Sequence, residues 1–283
     1  MRLYIIFQTK SNLLKTTERG KIFVMYYKAG TILPLEDMYL PLFCGTLPIK
    51  DTLGFLKDDT GENISSKNEF YSELTGTFWV WKNTNLPFTG VCHYRRYFTV
   101  SPEPWYLKLK YILFHPFKTQ VGPNPLIYTK NTKKWIPKIL NFDQTRLILD
   151  DYDVILPVPR KFRYSIRTHY SKYHDVNDLN ILEKIIIKDY PEMADTLQDV
   201  LNGNILYGNN MFVMKEARYR DFMQWWFDVL FKFEQSVDLE SYKGYQRRIL
   251  GFIAERTLTL WMIHNNLKIK ELQLIYFKKF KKE

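Results

Sequence analysis

Short apolar runs alternate with stretches of helical periodicity along this 283-residue chain, and that alternation points to an α/β fold. The runs are KIFVMYY (Lys21 to Tyr27), TGVCH (Thr89 to His93), YDVIL (Tyr152 to Leu156) and NMFVM (Asn210 to Met214). Their near-continuous apolar character suits strands covered on both faces. Between the first two runs, Tyr71, Leu74, Phe78 and Trp79 fall on one face of a helix expected over Tyr71 to Asn83. Further helices are expected over Leu179 to Lys188, Met193 to Leu201, Ala217 to Phe233 and Tyr245 to Asn265. The expected architecture is a mixed, mostly parallel sheet with a helical C-terminal part. Thr31 to Asn68, rich in Pro, Gly and Asp, reads as long loops with short helical turns. Residues 1–20 read as an N-terminal extension, 21–275 as the main domain and 276–283 as a basic tail.

Composition narrows the class. With 46% apolar and 25% charged residues the chain is globular, neither disordered nor collagen-like. Its net charge of +11 and 17% aromatic content suit anionic partners: nucleotide phosphates, nucleic acid or a membrane surface. Two cysteines, Cys44 and Cys92, are too few for a disulfide framework and point to a reducing, cytoplasmic setting. The five-residue apolar run near Met1 is too short for a signal peptide, and no uncharged apolar stretch is long enough to span a bilayer. No Gly-x-Ser-x-Gly, His-Glu-x-x-His, Walker loop or Gly-x-Gly-x-x-Gly occurs, so the common hydrolase, zincin, P-loop and dinucleotide readings lose their usual support.

The end of the second run carries the most information. In open α/β sheets ligands bind beyond the carboxyl ends of the strands, and His93, Arg95 and Arg96 leave such an end in Val91-Cys-His-Tyr-Arg-Arg-Tyr-Phe98. Two guanidiniums and an imidazole there could neutralise a diphosphate as a divalent cation would. A surface Arg pair salt-bridged to neighbouring acids is the other reading. The literal Asp-x-Asp, in Asp150-Asp151-Tyr152-Asp153, precedes its strand and reads as a solvated strand entry or helix end. No metal ligands and no cofactor are assigned, and Mn²⁺ or Mg²⁺ dependence is left open.

Other polar residues stay open to functional and structural readings. In the acidic loop, Asp58, Asp59 and Asn63 either hold a ribose or base edge, bind a cation, or form an exposed turn. Glu73 and Lys82 are the members of the following helix that a core would not need. From Ile249 to Ile263 the last helix is apolar nearly all round, and Glu255 and Arg256 interrupt it. Arg248 and Glu255, on one face, either form a structural ion pair, or a desolvated Glu255 of raised pKa serves as a general base. Asn210 either hydrogen-bonds a sugar or shapes a turn. His169 and His174 lack metal-ligand spacing and read as loop residues.

Several segments follow one another in a familiar order: Leu56-Lys-Asp-Asp-Thr-Gly-Glu-Asn-Ile-Ser65, the Glu69 to Asn83 helix with Trp79-Val-Trp-Lys-Asn, His93-Tyr-Arg-Arg-Tyr-Phe98, Tyr152-Asp-Val-Ile-Leu-Pro157, and Gly251-Phe-Ile-Ala-Glu-Arg256. From about Lys21 to Leu274 the chain resembles the bacterial capsular and exopolysaccharide biosynthesis glycosyltransferases long catalogued as a domain of unknown function. The resemblance implies a GT-A-like (Rossmann-like) nucleotide-sugar-binding domain. It also implies transfer of galactose or galactofuranose from a UDP-sugar to a growing, lipid-linked surface polysaccharide such as capsule, exopolysaccharide or O-antigen. Within that frame Asp58, Asp59, Asn63, Glu73, Lys82 and Arg248 are donor contacts, and Asn210, His169 and His174 acceptor contacts. His93, Arg95 and Arg96 stabilise the departing diphosphate, and Glu255 as base makes the enzyme inverting.

The lysine- and aromatic-rich stretch 101–145 departs from the family pattern and reads as an insertion. With the tail it suits an anionic membrane surface on the cytoplasmic side, or it is a solvated lysine face over a partly buried aromatic loop. Two other classes stay open: a non-catalytic partner in a polysaccharide assembly complex, and a nucleic-acid-binding protein without a recognised motif.

Overall fold

The computed structural model describes residues 19–28, 31–46, 55–105, 109, 120–121 and 125–278. Nearly all of the N-terminal extension, residues 279–283 of the tail and most of 106–124 lie outside the described residues.

Strand β1 (Lys21–Tyr26) is the middle of the sheet's first half, paired in parallel with β2 (Tyr39–Phe43) and β4 (Phe88–His93); β3 (Leu56–Lys57) extends β2. The second half holds β5 (Arg96–Thr99), β7 (Leu126–Thr129), β8 (Val154–Pro157), β11 (Phe212–Lys215) and the long β12 (Ile269–Phe277). Strand β11 lies antiparallel between β4 and β8, while β12 runs parallel to β8 and β7 and antiparallel to β5. Seven of the nine strands therefore point the same way, β5 and β11 being the exceptions. A small second sheet joins β6 (Gln120–Val121), β9 (Arg160–Phe162) and β10 (Ile205–Leu206).

Helices cover both faces, as a mostly parallel sheet requires. They are α1 (Asn68–Tyr71), α2 (Leu74–Asn83), α3 (Thr132–Trp135), α4 (Phe142–Asp151), α5 (Ile166–Ser171), α6 (Asn177–Asp189), α7 (Ala194–Asn202), α8 (Glu216–Gln235) and α9 (Ile249–His264). The alternation in β1 sends Phe23 and Met25 into one core with α2, α8 and α9, and Ile22, Val24 and Tyr26 into the other, beside Leu149 of α4. Trp226 is fully buried and its indole N–H donates to Thr257 Oγ1 at 2.8 Å, which fastens α8 to α9. None of these helices is long and apolar enough to cross a membrane.

Four expectations change. The loop region Thr31 to Asn68 contains β2 and β3. Strand β2 tolerates Pro41 because β3 pairs only with Leu42 and Phe43, beyond the proline. The helix expected over Tyr71 to Asn83 is broken at Ser72, whose φ of 51° is left-handed. The Asn68 side chain holds that break by donating to the Ser72 carbonyl at 2.7 Å. In the stretch read as an insertion, 126–129 is a strand of the main sheet and Trp135 is buried; Lys108, Lys110, Tyr111, Phe114, Phe117 and Lys118 lie outside the described residues. Tyr276 and Phe277, assigned to the tail, belong to β12.

Candidate active site

Strands β1, β2, β4 and β8 all end at one edge of the sheet, and β11, being antiparallel, starts there. A cavity of about 610 Å³ opens at this edge. Its wall takes Met25, Tyr26 and Tyr27 from the end of β1, His93 to Arg96 from the β4–β5 hairpin, Arg160 from the start of β9 just after β8, and Asn209 and Asn210 ahead of β11. The first half of α9 supplies Gly251, Phe252, Glu255 and Arg256, and the α1–α2 break supplies Ser72 and Glu73.

The HYRRYF segment is a tight hairpin in which His93 and Arg96 are paired residues and Tyr94-Arg95 is the turn. Arg95 lies over the Tyr94 ring at 5.0 Å and Arg96 over the Tyr276 ring at 5.5 Å. Among the described residues no carboxylate is within ion-pair distance of either guanidinium, and the Nε of each is buried without a hydrogen-bond partner. A pair salt-bridged to neighbouring acids is thus not what the described residues form. Two uncompensated guanidiniums at a strand end are suited to an anion.

Asn209 and Asn210 tie the wall together. Both have left-handed backbones, φ 75° and 48°, which Asn tolerates better than other side-chain-bearing residues. The Asn209 N–H donates to Glu255 Oε1 at 2.7 Å, its carbonyl accepts from His93 Nε2 at 2.7 Å, and its side-chain oxygen accepts from Arg160 at 3.1 Å. Since a carbonyl only accepts, the His93 proton sits on Nε2. The Asn210 side-chain NH₂ donates to the Gly251 carbonyl at 3.1 Å and to Glu73 Oε1 at 3.4 Å, and its Oδ1 is buried without a partner.

The carboxylates pair differently from the expectation. Arg248 donates to Glu73 Oε2 and to Ser72 Oγ, each at 3.0 Å, whereas Glu255 Oε2 meets its chain neighbour Arg256 at 3.2 Å. The seven-residue spacing put Arg248 and Glu255 on one face, but Arg248 precedes α9 on a 3-10 turn and turns toward the α1–α2 break. Burial opposes ionisation of Glu73, yet His93 and Arg248 outweigh it and hold the carboxyl below its ordinary range. Burial pushes the His93 imidazole down against the pull of Glu73, with Arg96 working in the same direction as burial. Glu255 keeps unused lone pairs on both oxygens and an edge open to the cavity, its side chain being 14% exposed.

His169 and His174 both line the cavity, His169 from within α5. His169 stacks on Phe162 at 3.8 Å between centroids, and burial, with Arg256 and Arg160, holds its pKa down to about 4. His174 Nδ1 lies 2.7 Å from Gln246 Oε1, and burial lowers its pKa as well.

Four expected donor contacts lie outside the cavity wall. Asp58 Oδ1 is consumed by the Gly45 N–H at 2.9 Å and Ser65 Oγ at 2.6 Å, deep in the core, where burial raises the carboxyl's pKa. Asp59 and Asn63 are exposed, and among the described residues Asn63 bonds within its own turn, to Gly61 and Ser65. Lys82 stacks over Trp81 at 3.9 Å and pairs with Glu62. Asp153 Oδ2 accepts from the Lys268 N–H at the opposite end of the sheet. Sequence reasoning missed Arg160, Asn209 and Arg256 as wall residues. Arg160 had a signal: it follows the third apolar run, where the strand-end rule applies as it does after the second.

Residues 21–266 match the family model described as a domain of unknown function, DUF4422. The chain belongs to this family. No curated protein matches it. Among solved structures it is similar to the bifunctional glycosyltransferase WbbM in its apo form, at 27% identity and a TM-score of 0.78. That match covers 92% of this chain and 46% of WbbM, so the chain spans under half the length of the protein it matches.

Proposed function

We propose that the protein is a glycosyltransferase of the GT-A-like kind, using a nucleotide-sugar donor and a glycan acceptor. The observation that carries the reading is the pairing, within one strand-end cavity, of two uncompensated guanidiniums with a carboxylate. Arg95 and Arg96 take the diphosphate, and His93, fixed by the Asn209 carbonyl, borders them. An acceptor hydroxyl oxygen attacks the anomeric carbon of the donor, and its proton passes to Glu255. The bond from that carbon to the diphosphate oxygen breaks with its electron pair left on the oxygen, beside the guanidiniums that stabilise the growing charge. One displacement inverts the anomeric centre. Following the family resemblance, the donor is a UDP-sugar carrying galactose or galactofuranose, and the acceptor a lipid-linked surface glycan reached from the cytoplasmic side of the membrane.

The replacement Glu255→Gln keeps the hydrogen bond from Asn209 but removes the base. It should abolish transfer from a UDP-hexose while UDP binding, followed by calorimetry, persists. Retained turnover would return Glu255 to a purely structural pair with Arg256.

A further inference from the structure

The cavity has a second cationic pole that the proposed donor chemistry does not use. Arg160 and Arg256 both line the cavity on either side of Glu255: a Cβ on Gly208 would meet the Arg160 guanidinium at 3.3 Å and Glu255 Oε1 at 3.2 Å, and the other carboxylate oxygen pairs with Arg256. Glu255 pairs, among the described residues, with Arg256 alone, whose guanidinium also donates to the Phe252 carbonyl at 2.8 Å and lies over the Tyr170 ring at 4.9 Å. Among the described residues no carboxylate lies within ion-pair distance of Arg160; its one hydrogen bond is to the neutral Asn209 side chain. Arg256 is only 2% exposed, yet its Nε has no hydrogen-bond partner, and neither has the buried Nδ1 of His169. Crowding like charges in a desolvated wall and leaving their donors unused is costly unless a ligand of opposite charge completes the set.

The pole is separate from Arg95 and Arg96. Asn209 stands between them, its carbonyl turned to His93 and its side-chain oxygen to Arg160. Glu255 lies against the second pole, through its contact with Arg256. A group bound to Arg160 and Arg256 therefore sits beside whatever hydroxyl approaches Glu255.

We infer that the acceptor is itself acidic: a carboxylate or phosphate, on the sugar that offers the hydroxyl or on the next one, docks at Arg160 and Arg256. This rests on the reading of Glu255 as the base and of Arg95 and Arg96 as the donor-phosphate site. The anion's source is either a uronate in the glycan or a phosphate of a phosphorylated or lipid-linked sugar. Both offer the planar or tetrahedral oxygens that an Arg fork binds.

The test uses the full chain with three probes: UDP, methyl β-D-glucuronide and a hexose 1-phosphate, with methyl β-D-glucoside as the uncharged control. In wild type saturated with UDP, at least one acidic probe should still bind, at least tenfold more tightly than the glucoside, and the His169 resonance should titrate at higher pH in its presence. Which acidic probe binds assigns the source. Arg160→Gln, which retains a donor for Asn209, should weaken that probe tenfold or more and leave UDP affinity unchanged; Arg95→Gln should do the reverse. Competition between the acidic probe and UDP would overturn the proposal, as would equal affinity for the neutral glucoside. Loss of UDP binding in Arg160→Gln would also overturn it, by assigning Arg160 to the donor. If UDP fails to bind wild type at all while the acidic probe binds through Arg160, the donor reading fails and the anion site stands. The wild-type measurements decide the matter even should Arg160→Gln not fold.

Discussion

At the residue scale, the site is a set of local departures from what each side chain would do alone. Asn209 and Asn210 accept left-handed backbones, and Ser72 does so with φ 51° and ψ −126°. Such strain persists only where surrounding bonds fix it, and here they do: Glu255, His93 and Arg160 hold Asn209, Gly251 and Glu73 hold Asn210, and Arg248 and Asn68 hold Ser72. Gly251 is a different case, since its backbone is helical and a Cβ there would meet nothing within 4 Å. Its missing side chain keeps cavity space open. The change Gly251→Ala should therefore raise stability by up to about 1 kcal/mol through helix propensity. The added methyl should also weaken UDP-sugar binding or turnover by about tenfold, the usual worth of one extra methyl in a shaped pocket. Thermal melting and initial rates on one preparation check both halves, and a variant that is more stable and fully active would deny that this face meets substrate.

At the scale of elements, the opposite outcome is expected of the same substitution one helix away. Gly76 lets α2 lie directly on β1 and β2: a Cβ there would come within 2.5 Å of Cys44 Sγ and 2.8 Å of Met25 Sδ. Both sulfur atoms sit in the packed core, so Gly76→Ala should lose about 1–3 kcal/mol to overpacking in spite of its better helix propensity. A higher denaturation midpoint in that variant would mean that the helix can lift off the sheet without cost. This packing also explains which elements were legible. Runs such as KIFVMYY declare themselves because they are covered on both faces, and the helices α6 to α9 because their apolar stripes are long. Strand β2 did not, because Pro41 imitates a loop unless one knows where β3 stops pairing. The helix break at Ser72 did not, because Arg248, which with Asn68 holds it, lies 176 positions away. In the site, HYRRYF was legible from its position at a strand end, whereas Asn209 became a hub through three contacts that no local spacing encodes. The acidic loop misled for a related reason: Asp58 looks like an exposed turn residue until the fold buries it against Gly45 and Ser65.

At the scale of the whole molecule, partly buried imidazoles link stability to pH. Burial is the leading cause that holds His93, His169 and His174 below the ordinary 6.5, with nearby guanidiniums adding to it, and His169 reaches about 4. As pH falls below 6.5 the unfolded chain takes up protons that the folded chain refuses. Stability rises with pH wherever the unfolded state binds more protons, so it must fall as the solution is acidified through this window. Glu73 acts in the same sense at lower pH: its depressed pKa contributes stability above the ordinary carboxylate value, lost as pH drops through the folded one. Asp58 and Asp178 oppose both, since burial raises them and the folded chain protonates them first. Their gain comes as pH falls through their folded values toward the ordinary 3.8, and the three imidazoles and Glu73 work against it. The thermal midpoint should therefore decline steadily from pH 7 to pH 5 in a scanning-fluorimetry series at constant ionic strength. A flat or rising midpoint over that range would mean that the imidazoles are solvated in the folded protein, and the cavity wall would then have to be drawn without them.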